Sequence, residues 1–174
     1  INLNSTGGNL NLTNTTLNNS NDSISSEVNA TIGGDLTVNN GSITLNTGDN
    51  LGNGTISQDG GNLTIIDIST GNSTLDADSG NLTLNGATLT GNDTIAGIVN
   101  TTIGANGVTI SNTSADGIIL NNGDEINGTV DQQGGNLSLA GVTTNGKLNS
   151  TGGKLNITGD QILTSAATIG SGVD

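Results

Sequence analysis

The protein is a chain of 174 residues with a formal net charge of −13, from 15 acidic residues against two lysines, and it contains no His, Cys, Met, Pro or aromatic residue. This composition excludes most modes of nucleic-acid binding, because there is no basic patch to neutralise phosphates and no ring to stack on bases. Only 30% of the residues are hydrophobic, and no apolar run approaches the ~18 residues of a membrane span, so we expect neither a thick core nor membrane insertion.

A short motif with the pattern G-x-L-x-L, in relaxed form, recurs along the chain. It reads GNLNL at Gly8, GDLTV at Gly34, GNLTI at Gly61, GNLTL at Gly80, GVTI at Gly107, GNLSL at Gly135 and GKLNI at Gly153. Apolar and polar residues alternate in each copy, as in a half-buried strand. Gly, Asn, Asp and Ser fill the gaps, as turns require. Short strands repeated at such intervals predict a β-solenoid.

The spacing of the motif sets the expected number of coils. The first apolar residues of successive copies lie roughly 20 to 30 residues apart, which is a period typical of solenoid repeats. The pattern therefore predicts an all-β parallel β-helix of about seven coils, with two or three short strands per coil, stacked about 4.7–4.9 Å apart. One buried column is expected to hold these first apolar residues, which are Leu10, Leu36, Leu63, Leu82, Val108, Leu137 and Leu155.

A longer repeat overlies the short one. Residues 3–13 read LNSTGGNLNLT and residues 148–158 read LNSTGGKLNIT, so that nine of eleven positions are identical. A weaker copy begins at Leu75, midway between the other two, so the three copies are evenly spaced. We expect one solenoid domain over residues 1–174, built from three-coil units of roughly 72 residues in which each coil is one period of the solenoid. Its parts are a partial unit at 1–31, units at 32–102 and 103–168, and the start of another at 169–174.

Neither end of the sequence shows an amphipathic helix or a polar capping repeat. The first residue is Ile, which indicates a processed chain or a segment of a longer one. Uncapped solenoid ends are open sheet edges, which template pairing with another chain. The near-identity of the first and last copies therefore predicts head-to-tail stacking, either between subunits or onto a continuing polypeptide.

Carboxylates are the only side chains here suited to catalysis. They form two close pairs, Asp76 with Asp78 and Asp124 with Glu125, and both lie in turn-like Gly and Asn contexts. Solvated turn residues are the simpler interpretation, and the sequence predicts neither an enzyme nor a bound cofactor.

Calcium is the metal to consider, because oxygen ligands are abundant. The segments NTGDN at Asn46, TGND at Thr90 and NNGDE at Asn121 resemble the calcium-binding repeat of β-rolls only loosely. No specific metal site is therefore predicted.

The N-glycosylation pattern N-x-[ST] occurs eighteen times. Alternation alone generates it wherever Asn and Thr dominate the outer face of a strand, so most copies need no glycan. The candidate glycosylation sites are Asn4, Asn53, Asn92, Asn127 and Asn149.

Threonines recur at one outward position of the motif. The alignment predicts a column of Thr37, Thr64, Thr83 and Thr109 on one sheet face. Flat Thr arrays occur on ice-binding solenoids, usually as two parallel Thr columns, whereas the neighbouring outward residue here is mostly Asn. Ice binding is therefore an alternative rather than the principal interpretation.

Phrases such as GGNLTLNGATLTG resemble the repeats of filamentous-haemagglutinin-like adhesins and autotransporter passenger domains, and the resemblance covers nearly the whole chain. It implies a right-handed parallel β-helix on a microbial cell surface, where such proteins act as stalks, fibres and binding surfaces. Sheath and surface-layer proteins share this composition.

These observations predict an extracellular structural β-solenoid that stacks end to end into a cell-surface filament, sheath or fibre. Its expected partners are further copies or coils of itself, and a host or neighbouring-cell surface. The alternatives are a rigid stalk segment of a large surface adhesin and an ice-binding or carbohydrate-active solenoid.

Overall fold

A computed structural model describes residues 2–5, 10–12, 14–19, 21–26, 30–71, 73–96, 98–113, 117–164 and 168–171. These residues form an all-β parallel solenoid of about seven turns, as predicted, and they include no helix. No segment of the described chain is therefore a helix able to cross a membrane.

The described residues contain 22 strands. They are β1 (Asn2–Ser5), β2 (Leu10–Leu12), β3 (Thr15–Leu17), β4 (Ser23–Ser26), β5 (Ala30–Ile32), β6 (Leu36–Val38), β7 (Ser42–Leu45), β8 (Thr55–Ile66), β9 (Thr74–Asn85), β10 (Ala87–Gly91), β11 (Thr94–Ile95), β12 (Val99–Ile103), β13 (Val108–Asn112), β14 (Ile118–Leu120), β15 (Glu125–Ile126), β16 (Thr129–Gln132), β17 (Asn136–Ala140), β18 (Thr143–Thr144), β19 (Lys147–Ser150), β20 (Lys154–Thr158), β21 (Ile162–Leu163) and β22 (Thr168–Ser171).

Strand pairing divides the solenoid into three faces, and every pair between described strands is parallel. Face A holds β1, β4, β7, the second half of β8, the second half of β9, β12, β15, β18 and β21. Face B holds β2, β5, β10, β13, β16, β19 and β22. Face C holds β3, β6, the first halves of β8 and β9, β11, β14, β17 and β20.

The prediction that the first apolar residues of the seven motif copies form one buried column is wrong, because the coils are shorter than most intervals between the copies. Residues paired on neighbouring coils differ by 18 positions at the shortest, as for Glu125 and Thr143, and by 23 at the longest, as for Thr102 and Glu125. Most intervals between motif copies are longer than this, so successive copies fall on different faces. Leu63 pairs with Leu82, and Leu137 pairs with Leu155 in another column. The remaining members pair elsewhere: Leu10 with Ala30, Leu36 with Ile56, and Val108 with Ala87 and Val130.

Successive copies of the longer repeat begin on different faces, so the repeat unit does not contain a whole number of three coils as predicted. Leu3 lies on face A, Leu75 on face C and Leu148 on face B. Eleven successive steps from face to face separate Leu3 from Leu75, and three steps complete a turn. The repeat unit therefore spans three and two-thirds turns, so the duplicated sequence is rotated by one face each time.

Alternation fills the lumen with aliphatic side chains. In β7, for example, Ile43 and Leu45 are each 1% exposed while Ser42 and Thr44 are half-buried. One continuous hydrophobic cluster extends from Leu12 to Leu148. Because the lumen is only a few side chains wide, medium-sized aliphatic residues fill it without aromatic ones.

The lumen also contains a polar segment under face B. Gln132 is fully buried, and its Nε2 donates to the carbonyl oxygens of Gly135 and Lys154 at 2.9 and 3.1 Å. Ser150, one coil further along, donates to Gln132 Oε1 at 2.7 Å. These contacts join two neighbouring coils, because a buried amide must find partners for its donors and acceptor.

Candidate functional surfaces

The two predicted acidic pairs differ in geometry. Asp76 and Asp78 are both exposed on face C, on either side of the buried Ala77. Thr94 Oγ1 on the next coil donates to Asp76 Oδ1 at 3.0 Å, and the two carboxylates border a shallow depression of about 240 Å³. Asp124 is 2% exposed whereas Glu125 is exposed. The buried Asp124 precedes β15 and the exposed Glu125 begins it, so this second pair does not converge on one site.

The loosely calcium-like segments form a different structure. In each, an Asp carboxylate accepts a backbone N–H of its own turn, three residues earlier. Asn46 N donates to Asp49 Oδ2 at 2.7 Å, Thr90 N to Asp93 Oδ2 at 2.8 Å and Asn121 N to Asp124 Oδ2 at 2.7 Å. Within the described residues, no group of three or more acidic side chains is placed to hold a metal ion.

The second oxygen of each of these carboxylates reaches the preceding coil. Ala30 N donates to Asp49 Oδ1 at 2.7 Å, Leu75 N to Asp93 Oδ1 at 2.8 Å and Thr101 N to Asp124 Oδ1 at 2.7 Å. The carboxylate thus takes the place of a backbone carbonyl as acceptor for the preceding coil. It does so just before its own coil pairs with that coil again. We call Asp49, Asp93 and Asp124 the carboxylate clasps.

Sequence reasoning did not find the clasps, although a signal was present. Each clasp is the fourth residue of a turn that begins with Asn or Thr, as in NTGD, TGND and NNGD. Asp accepts hydrogen bonds from nearby backbone groups and is typical of such turns. The contact with the previous coil could not be predicted from the local sequence, because the backbone donor lies 18 to 23 residues before the Asp.

Two of the clasps have shifted acidities. Burial raises the pKa of the Asp93 and Asp124 carboxyls above the ordinary value of 3.8, and the hydrogen bonds from Thr70, Leu75 and Thr90 to Asp93 oppose that rise only in part. For Asp124 the opposing hydrogen bonds come from the backbone of Thr101 and Asn121. Burial disfavours the charged form, and here it outweighs the donors.

These raised pKa values predict a solenoid that gains stability on mild acidification. The folded chain binds these protons at a higher pH than the unfolded chain, so the free energy of unfolding rises as pH falls from neutral through the raised values. The contribution is complete below the ordinary value of 3.8 and is lost again as pH rises through the folded values.

Urea unfolding followed by far-UV circular dichroism at several pH values checks this prediction. An Asp93→Asn, Asp124→Asn double variant is expected to show a smaller gain on acidification than the parent. An Asp76→Asn, Asp78→Asn variant is the control for the general loss of negative charge. Equal gains in the parent and the clasp variant would contradict the prediction.

The candidate glycosylation sites fall into two groups. Asn53 and Asn92 are exposed at turns. Asn127 Oδ1 accepts from Asn145 Nδ2 at 2.8 Å, and Asn149 Nδ2 donates to Asp131 Oδ1 at 3.0 Å, so both belong to side-chain contacts between coils. The side chain of Asn4 lies outside the described residues. Exposure at turns favours Asn53 and Asn92 as acceptors of a glycan.

The expected column of Thr37, Thr64, Thr83 and Thr109 is not formed, because these residues occupy three faces. Thr64 and Thr83 are neighbours on face A. Thr37 pairs with Thr16 and Ser57 on face C, whereas Thr109 pairs with Thr88 and Asp131 on face B.

Face A instead presents two parallel outward rows. One consists of Ser42, Asn62, Asn81 and Asn100, and the other of Thr44, Thr64, Thr83 and Thr102. The buried residues Ile43, Leu63, Leu82 and Thr101 lie between the rows. We call the eight outward residues the Asn/Thr array.

The last described turn leaves its lumen side chains uncovered. Ile157, Leu163 and Ile169 are 39%, 50% and 40% exposed. They continue buried columns, since they pair with Leu139, Thr144 and Leu148, which are at most 2% exposed. At the opposite end, Leu3 is 38% exposed above the buried Ile24. The last described turn thus presents an apolar centre bordered by strand edges, whereas Leu12 and Leu17 in the first described turn are buried.

Comparisons with protein-family models, with curated proteins and with solved structures return no match.

Proposed function

We propose that the protein is an extracellular structural β-solenoid that stacks end to end into a cell-surface filament, sheath or fibre. The observation that carries this proposal is the exposed lumen row of the last described turn, Ile157, Leu163 and Ile169. Each would be buried by one further coil in the same register.

The strand edges support the same contact. β20, β21 and β22 pair with the coil above them, and no described strand pairs with their other edges. Unpaired N–H and C=O groups of an edge strand pair readily with another strand. A head-to-tail contact joins two different ends, so it leaves a new free end after each addition and propagates into a filament.

The composition is consistent with a structural role outside the cell. The hydrophobic part of the lumen consists of Leu, Ile, Val and Ala, and the outward positions of the strands carry mainly Asn, Thr, Ser and Asp. A rigid stalk segment of a surface adhesin is the second candidate, in which further coils of the same polypeptide cover the ends. The longer repeat favours it, because a repeated sequence supplies such coils.

End-to-end association can be tested by placing a charge in the exposed lumen row. The parent is expected to form rods whose length grows with protein concentration, seen by sedimentation velocity and negative-stain microscopy. Leu163→Lys should stay monomeric yet folded, because Leu163 lies in the last turn and is already 50% exposed.

The matched control is Ile98→Lys. Ile98 is 73% exposed between β11 and β12, in the body of the solenoid. This variant should associate like the parent. A parent that remains monomeric at the highest attainable concentration would contradict stacking between copies and favour the stalk.

A further inference from the structure

The Asn/Thr array is regular in two directions. Along the solenoid axis, paired residues of neighbouring coils follow one another in unbroken register, from Ser42 to Asn100 and from Thr44 to Thr102. Neighbouring strands are about 4.7–4.9 Å apart, and alternate residues of one strand about 6.6 Å. The only register irregularities between β8 and β9 lie between Gln58 and Asn62, before face A begins. The backbone therefore fixes a grid of outward side chains.

The Asn row is held in place by its own hydrogen bonds. Asn62 Nδ2 donates to Ser42 Oγ at 3.2 Å, Asn81 Nδ2 to Asn62 Oδ1 at 2.9 Å and Asn100 Nδ2 to Asn81 Oδ1 at 3.4 Å. Each ladder bond uses one of the two N–H groups of an amide, so the other N–H is left for a partner outside the protein.

The hydroxyl groups of the Thr row are available to a ligand. Within the described part of the chain, the Oγ1 atoms of Thr44, Thr64, Thr83 and Thr102 make no hydrogen bond to another residue. β-branched side chains have few χ1 rotamers, so each hydroxyl and its methyl group keep a preferred direction. The array thus combines fixed hydroxyls, fixed amides and small methyl groups.

The array is uncharged in a chain of net charge −13. It contains neither a carboxylate nor a lysine, and Glu125, which pairs with Thr102, marks where the neutral rows end. It also contains no aromatic ring on which a sugar could stack, since the chain has none. Its chemistry therefore fits neither an ion nor the usual carbohydrate ligand. It fits a flat, uncharged and periodic lattice of hydrogen-bonding groups.

We propose that the Asn/Thr array binds ice. An ordered lattice of water is neutral and periodic in two dimensions, and it offers both donors and acceptors to the hydroxyls and amides. Residues held in a grid before binding lose little conformational entropy when they engage such a surface. This inference is independent of end-to-end stacking, because the array lies on the side of the solenoid.

The test compares two neutral, bulky substitutions. Thr83→Tyr places a large ring in the middle of the array. Thr88→Tyr makes the same change at an outward position of face B, where Thr88 pairs with Thr109. Far-UV circular dichroism and thermal unfolding establish that both variants are folded. The proteins are made in a host without N-glycosylation, because Asn62, Asn81 and Asn100 each begin an N-x-T pattern and a glycan would cover the array.

The readouts are the shape of single ice crystals and the gap between their melting and growth temperatures. The parent and Thr88→Tyr should facet ice and show a gap, whereas Thr83→Tyr should lose both effects. Leu163→Lys, defective in stacking, should retain them. Round crystals that grow at the melting temperature in the parent would overturn the proposal. So would an equal loss in both folded tyrosine variants, or an array variant that alters only side-by-side association of the chain.

Discussion

Replacing Asp93 by alanine is expected to destabilise the solenoid by about 1–3 kcal/mol, because a buried backbone donor loses its charged acceptor. Asp93 is fully buried and accepts hydrogen bonds from Thr70 Oγ1, Leu75 N and Thr90 N at 2.7–2.8 Å. Thr70 has other acceptors within reach and Thr90 N also donates to Thr70 Oγ1. The N–H of Leu75 is therefore the donor that loses its acceptor, Asp93 Oδ1 on the following coil.

Urea unfolding at neutral pH measures this loss, and Asp78→Ala is the matched control. Asp78 is an exposed acid of the preceding coil, so its removal changes the net charge equally without opening a buried contact. A surface substitution of this kind is expected to change stability by no more than about 0.5 kcal/mol. Similar effects of the two substitutions would show that the clasp contributes nothing beyond its charge.

Replacing Gly107 by alanine is expected to cost about 2–5 kcal/mol, from two sources that can be separated. Gly107 has a φ of +77°, which costs an L-residue roughly 1–2 kcal/mol. A methyl group there would also overlap the backbone carbonyl oxygen of Thr129 on the next coil. Overpacking of this kind adds about 1–3 kcal/mol.

Gly91→Ala isolates the first source. Gly91 has a φ of +70°, and a methyl group there would meet no atom within 4 Å. Unfolding in urea should therefore show a smaller loss for Gly91→Ala than for Gly107→Ala. Equal losses would mean that close approach of the coils does not limit side-chain size at Gly107. The comparison thus measures how tightly one coil packs on the next.

The carboxylate clasps and the proposed stacking of the ends both follow from the way a parallel solenoid pairs its backbone groups. Parallel coils satisfy their backbone groups through the coils above and below, so every interruption needs a substitute. Asp49, Asp93 and Asp124 supply that substitute inside the solenoid. At the last described turn, Ile157, Leu163 and Ile169 remain exposed, and the proposed stacking would cover them with a further coil.

Local pattern was sufficient for the fold class and for the direction of most side chains. In Asn62-Leu63-Thr64 and Asn81-Leu82-Thr83, alternation alone indicated that the leucines point inward, and both are 0% exposed. A period of two is enforced by the backbone of any strand, so it can be read without knowledge of the partner strand. The all-β parallel solenoid follows from such segments and the turn residues between them.

Alternation and turn residues were therefore enough to predict the solenoid, its aliphatic lumen and its polar surface, whereas the identity of neighbouring residues emerged only from the folded chain. Thr64 lies beside Thr44 and Thr83 rather than Thr37, and the copies at Leu3, Leu75 and Leu148 lie on three faces. The physical reason is that alternation is a property of each strand, while register depends on how many residues each corner takes up. Because the coils differ in length, they do not divide the longer repeat evenly, so contacts between coils, the carboxylate clasps and the Asn/Thr array emerge only when the coils are stacked.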